Sequence, residues 1–219
     1  MKKIFKNAIF EYDKSDEDLV LVLNNYIDEN IDNIYNFFGN DIKREKPYIR
    51  IIRTKKELDK IYCKYENIEE QVPNWLIGFT NNDGIFYLSI NDYKNTSHSF
   101  NKFNTNLEEY KKTILHEYIH FINFLFNKKY NISLELNYLV EGIAMVLSNQ
   151  NEELNFIYSL DEILNDNNCY NGWYLVFKYI YDFYPHEFII ELFKDNNKAY
   201  KFITEIYDDI KNYYLSKSR

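Results

Sequence analysis

Cysteine is almost missing from this chain, which contains only Cys63 and Cys169. Two thiols are too few for a disulfide framework or a thiolate zinc site, and they predict free thiols in a reducing compartment. Also missing is any run approaching the roughly 20 apolar residues that span a bilayer, so no membrane span is expected. Near the start, Lys6 and Asn7 interrupt the apolar residues ahead of Glu11, so the h-region of a signal peptide is lacking too. A cytoplasmic location is the expectation. Basic charge is in short supply, with 26 Lys and Arg against 34 Asp and Glu and a formal net charge of −8. Nucleic acid and anionic membranes need clustered Lys and Arg, so neither is an expected partner. Nothing in the sequence speaks to the oligomeric state.

Aromatic side chains, in contrast, are plentiful. They make up 19% of the 219 residues, chiefly 22 Tyr and 17 Phe, an excess that reads as AT-rich codon usage. With 46% hydrophobic and 27% charged residues, the composition is that of a globular protein and not of a disordered or fibrous one. The length suits one domain or two apposed subdomains.

Strand and helix signals alternate in the first half. Residues 8–12 predict a short strand. Residues 16–38 predict a helix with Leu19, Leu23, Tyr26, Ile27, Ile31, Ile34 and Phe38 on one face, ended by Gly39. A strand follows at 48–52. Thr54 and Glu57 have the spacing of a capping box that opens a helix to about Tyr65. Residues 75–80 and 85–90 predict two strands joined by a hairpin at Asn81-Asn82-Asp83-Gly84. From Leu107 the pattern is helical almost to the end, with breaks near 127–132, 165–168 and Pro185. The expected fold class is α+β: a small mixed β-sheet with helices in the N-terminal half, and a helical C-terminal half.

Within the helical run 107–126 lies His116-Glu117-Tyr118-Ile119-His120, an H-E-x-x-H pattern. Four helical residues turn through roughly 400° and rise about 6 Å, which puts both imidazoles on one face where they can grip one ion. Glu117, about 100° round the helix, is kept off the metal but beside a water bound to it, where a general base belongs. The bland alternative is that Thr113, His116, Glu117, His120, Asn123 and Asn127 form the wet side of an amphipathic helix. A second feature is Glu141, the only charge in residues 138–147. On a helix buried nearly all round, an unpaired carboxylate costs several kcal/mol. A zinc ion already held by two His lacks one protein ligand, and Glu141 would supply it; pairing with an Arg or Lys, or exposure at a bend, are the alternatives. Gly142 is explained if this helix must approach the His helix closely.

His116-Glu117-x-x-His120 followed by Glu141-Gly142-x-Ala144 resembles the gluzincins, zinc peptidases that take a third ligand Glu from the next helix, and within them the peptidase MA-like group with its E-G-x-A signature. Residues 170–180, opening with Tyr170, are similar to that group's downstream helix. Trp75-x-x-Gly78 and residues 85–90 resemble the strands that line its cleft. The resemblance implies a zincin-like fold with the active-site helix at the junction of two subdomains. Residues 1–130 would end in the H-E-x-x-H helix, and residues 131–219 would supply the third ligand.

It further implies one Zn2+ per chain on His116, His120 and Glu141, with Glu117 as general base and a peptide or protein as substrate. Tyr170, or Tyr174 one turn on, would donate to the oxyanion, and Gly78 and Phe79 would lie along the substrate. Met145 departs from the pattern, because thermolysin-like members carry there an Asp that orients a ligand His. Gly172 and Trp173 depart as well, standing where relatives carry small or polar residues. His98, in a polar run, is the reserve metal ligand; His186 follows Pro185 at a helix start. A zinc-binding pseudo-enzyme or interaction module without turnover is the alternative function.

Overall fold

The computed structural model describes residues 1–69, 72–74, 76–93, 107–133, 136–150, 154–166 and 168–217. Trp75 and His98, and with them part of the expected strand 75–80, lie outside the described residues. The architecture is mixed α+β, with five strands and nine α-helices among the described residues. By contacts the chain divides into two compact units, one of residues 1–36 and 43–121 and the other of residues 37–42 and 122–219. None of the described helices is long and apolar enough to cross a membrane.

The first unit is built on one sheet in the order β1-β2-β3-β5-β4. Its strands are β1 (Lys2–Ile4), β2 (Ile9–Glu11), β3 (Tyr48–Ile52), β4 (Gly78–Asn81) and β5 (Gly84–Leu88). β2, β3 and β5 run parallel, while β1 and β4 are antiparallel to their neighbours at the two edges. Parallel neighbours need helical crossovers, and α1 (Glu17–Phe38) and α2 (Lys55–Glu66) lie in those connections. On α1 the buried stripe is Val20, Leu23, Ile27, Ile31, Ile34 and Phe38. It starts at Val20 and not Leu19, because Leu19 is only half-buried. Thr54 caps α2 as its spacing predicts, its side chain accepting from the backbone N–H of Glu57.

The hairpin forms at the expected place, with Asn81 paired to Gly84. Asn81 Oδ1 accepts from the N–H of Asp83 at 2.8 Å. Gly84 has φ of 129°, and a Cβ there would lie 2.3 Å from the carbonyl oxygen of Tyr48. Two expectations differ. Ile90 ends no strand but begins the short helix α3 (Ile90–Tyr93), because the N–H groups of Asp92 and Tyr93 turn back to the Ser89 carbonyl. β1 goes unpredicted, since three residues with mostly exposed side chains have no periodicity to read.

α4 (Leu107–Tyr130) is one continuous helix, and the division between the units falls inside it, between Phe121 and Ile122. In the first unit, the Tyr110 phenol donates to the Leu88 carbonyl at 2.9 Å and the Tyr118 phenol to the Asn7 carbonyl at 2.7 Å. Both ties fasten α4 to the strand-bearing layer.

The second unit contains α5 (Asn137–Leu147), α6 (Leu160–Asn165), α7 (Tyr170–Phe183), α8 (His186–Lys194) and α9 (Asn196–Lys217). A Cβ on Gly142 would meet the Phe177 Cβ at 2.4 Å and the Trp173 carbonyl oxygen at 2.8 Å. The close approach that this glycine permits is therefore to α7, and not, as its position suggests from the sequence, to the His-bearing helix. Gly172 and Trp173 also have packing roles. A Cβ on Gly172 would strike Cys169 Sγ at 2.4 Å, and the Trp173 indole N–H donates to the Ile163 carbonyl at 2.9 Å. Neither cysteine is in a disulfide, and burial pushes the Cys169 thiol up to about 12.

Tyr87, Tyr93 and Tyr110 are wholly buried together in the first unit, with ring centroids 4.8 and 5.3 Å apart along the row. Burial raises all three phenols above the ordinary value of 10.0, Tyr93 to about 12. The unfolded chain ionises near 10 while the folded chain does not, so stability is intact below that pH and falls as pH rises toward 12. Denaturant melts at about pH 9 and about pH 11 should show a lower midpoint at the higher pH, with phenolate absorbance appearing together with unfolding. Phenolate appearing ahead of unfolding would mean that these rings are accessible in the native state.

Candidate metal centre

The sequence leaves open whether the polar row on α4 faces solvent, and burial answers it. His116 and Glu117 are each 8% exposed and Asn123 is 3% exposed. The row is not buried along its whole length: Phe124, one turn beyond His120 on the same side of the helix, is exposed. Tyr110, Ile114, Leu115, Tyr118, Ile119 and Ile122 form the apolar face, each 1% exposed or less. A helix buried on both faces carries polar side chains at a desolvation cost, so each needs a partner.

Helical spacing brings the imidazoles together as expected. Nε2 of His120 lies 2.9 Å from Nε2 of His116, with ring centroids 4.6 Å apart and planes at 79°. A hydrogen bond between two Nε2 atoms uses a ring lone pair as the acceptor, the same lone pair that an imidazole offers to a metal ion. On α5, no residue from Asn137 to Leu147 is exposed, and Glu141, half-buried, is the only charged side chain in that helix. One ligand atom from each of His116, His120 and Glu141 lies within 4.8 Å of the others, a group that could hold a metal ion.

Glu117 is held separately. Its Oε2 accepts from the Thr80 hydroxyl at 2.7 Å, and its carbonyl oxygen lies 2.9 Å from the same hydroxyl. Thr80 is on β4, the edge strand, paired with Ile85. No feature of the sequence marks Thr80. Its role arises from the hairpin register and a contact 37 residues away, and neither is visible in a local pattern.

The other predicted residues are placed as follows. Tyr170 is the first residue of α7, half-buried, its ring against Trp173 at 5.0 Å and 67°. Tyr174 is 5% exposed. On β4, Phe79 is 8% exposed, stacked on Phe86 at 4.9 Å and met by Tyr62 of α2 at 5.2 Å. Its side chain is thus committed to packing beneath α2. A Cβ on Gly78 would lie 2.3 Å from the Tyr87 ring, so glycine there is what lets that ring sit against the strand. Met145 is 3% exposed and packs as an apolar residue. His186 donates through Nε2 to the Phe37 carbonyl at 2.7 Å and lies edge-on to the Phe37 ring.

Calorimetric titration with a divalent metal should find one saturable site per chain. His116→Ala and Glu141→Ala should each weaken binding by more than the roughly 10–100-fold that removal of an outer hydrogen-bond partner costs. Absence of a saturable site would remove the metal centre, and unchanged affinity in Glu141→Ala would move the third ligand elsewhere. The chain matches no family model, no curated protein and no solved structure.

Proposed function

We propose that the chain is a zinc-dependent hydrolase of peptide bonds, with a zincin-like arrangement of the gluzincin type. The observation that carries this reading is the meeting of His116, His120 and Glu141 beside a separately held carboxylate, Glu117. Two imidazoles and one carboxylate form the His₂Glu donor set of catalytic zinc, which leaves a fourth position open. With Zn–N bonds of about 2.0–2.1 Å and a tetrahedral angle, two such nitrogens sit about 3.3 Å apart. The Nε2 atoms are 2.9 Å apart, so a parting of a few tenths of an ångström accommodates the ion. Hard, all-oxygen cations such as Mg2+ or Ca2+ suit this donor set poorly.

Zinc bound there would supply Lewis acidity toward a carbonyl oxygen and bring the pKa of a bound water toward about 7. In this reading Glu117 takes the proton of the attacking water and returns it to the leaving amine. Its Oε2 already accepts a hydrogen bond, which leaves Oε1 for that transfer. Tyr170, or Tyr174 one turn later, donates to the oxyanion that develops on the substrate.

Glu117→Gln keeps size and hydrogen bonding but loses the proton acceptor. Zinc content and folding should persist, while hydrolysis of a peptide found by library or casein digestion falls by at least about 10²-fold. Loss of zinc with activity would make Glu117 a ligand or a folding residue. Full activity would rule out the H-E-x-x-H pattern as the catalytic centre.

Because an oxyanion donor acts mainly in the transition state, Tyr170→Phe should lower kcat by roughly 10²-fold with little change in KM. The same loss in Tyr174→Phe instead would move the donor one turn along α7. If both variants keep the wild-type kcat, neither phenol is the donor.

A further inference from the structure

We propose that Thr80 is a positioning residue for Glu117, holding the carboxylate in the orientation that leaves one oxygen for proton transfer; this rests on the hydrolytic reading above. Two contacts from one hydroxyl carry the inference. Thr80 Oγ1 donates to Glu117 Oε2 at 2.7 Å and lies 2.9 Å from the backbone carbonyl oxygen of the same residue. The hydroxyl therefore spans the root and the tip of one side chain, which restricts the torsions between them. A contact needed only to pack β4 against α4 would be met by the carbonyl alone.

The hydroxyl is itself well fixed. Threonine is β-branched, and its χ1 is restricted on a strand. Main-chain pairing of β4 with β5 sets the strand, with Thr80 opposite Ile85. Gly78, two residues earlier and so on the same side of β4, lies against the Tyr87 ring. That ring packs on Tyr110 of α4 at 4.8 Å. The donor is thus carried on a strand whose distance from α4 is set by buried aromatic packing, while Glu117 is 8% exposed. A catalytic group must be held to within about 0.5 Å and 10–20° of its working geometry, and supporting hydrogen bonds are what hold it.

The test compares Thr80→Val, which keeps the branched shape and loses the hydroxyl, with Thr80→Ser, which keeps the hydroxyl. In the zinc-loaded protein, Thr80→Val should lower kcat by roughly 10–100-fold, the scale of a misplaced catalytic group. KM should stay within about twofold, zinc content should be unchanged, and Thr80→Ser should restore most of kcat. In a Glu117→Gln background, Thr80→Val should cause no further loss, because its effect passes through the carboxylate.

A second readout needs neither metal nor turnover. In metal-free protein the side-chain carboxyl 13C resonance of Glu117, assigned by its absence in Glu117→Gln, should shift or broaden in Thr80→Val and not in Thr80→Ser. Should the valine variant not fold, Thr80→Ala is judged by the same measurements. A kcat of the hydroxyl-free variant within about twofold of wild type, an equal loss in the Glu117→Gln background, or an unmoved carboxyl resonance overturns the role of Thr80 while wild-type turnover leaves the hydrolytic reading standing. Absence of turnover in the wild type overturns both.

Discussion

Polar groups buried within a turn and a half of α4 are the constraint to which the rest of the molecule answers. An imidazole and a carboxylate lie next to each other at 8% exposure, and a charge taken out of water without partners costs several kcal/mol. Each of the two groups is met differently. His116 meets His120 nitrogen to nitrogen, while Glu117 draws a hydroxyl from an edge strand. Further along the same row, the buried Oδ1 atoms of Asn123 and Asn127 find no donor among the described residues. A helix that needed only to pack would carry leucines in this row. Retaining acceptors and ring nitrogens in a buried position costs stability.

The abundance of tyrosine has a structural use that composition does not disclose. Tyr110, Tyr118, Tyr138, Tyr207 and Tyr214 each donate a phenolic hydrogen to a backbone carbonyl, those of Leu88, Asn7, Ala199, Tyr158 and Leu175. Trp173 does the same with its indole N–H toward Ile163. Each ring contributes a large buried apolar area while its polar tip finds an acceptor, and the acceptors include carbonyls inside helices, those of Leu175 in α7 and Ala199 in α9. Codon usage accounts for a supply of these residues but not for the recurrence of one bonding pattern in both units.

Legibility in the sequence followed the range of the interaction. The His pair could be read because both members sit four residues apart on one helix, and Glu141 because a lone charge in an apolar helix is a local anomaly. The strands at residues 8–12 and 48–52, the capped α2 and the hairpin at Gly84 were legible for the same reason, each being fixed within a few residues of sequence. Val20 and not Leu19 opens the buried stripe of α1 because Leu19, Val20, Leu21 and Val22 stand in succession near its start, and only packing selects among them. Gly142 was recognisable as a close approach, but its partner was not, since Trp173 and Phe177 are more than 30 residues away in the chain. Thr80 was invisible. Its bond to Glu117 needs both the register of β4 and the location of α4, and no short window contains either.

That long-range bond changes how β4 should be regarded. The strand is last in the sheet order, so one of its edges pairs with no other strand among the described residues, and its residues are committed on both faces. Phe79 is stacked on Phe86 beneath α2. Gly78 admits the Tyr87 ring, and Thr80 grips Glu117. An enlarged residue at Gly78 would push against a ring that itself packs on Tyr110 of α4. A polar residue at Phe79 would lose a buried stack. Shifting the register by one residue would exchange the two sets and break both at once. The main chain of β4 is held along one edge by β5, and a shift of that main chain would move the hydroxyl on which the Glu117 carboxylate rests.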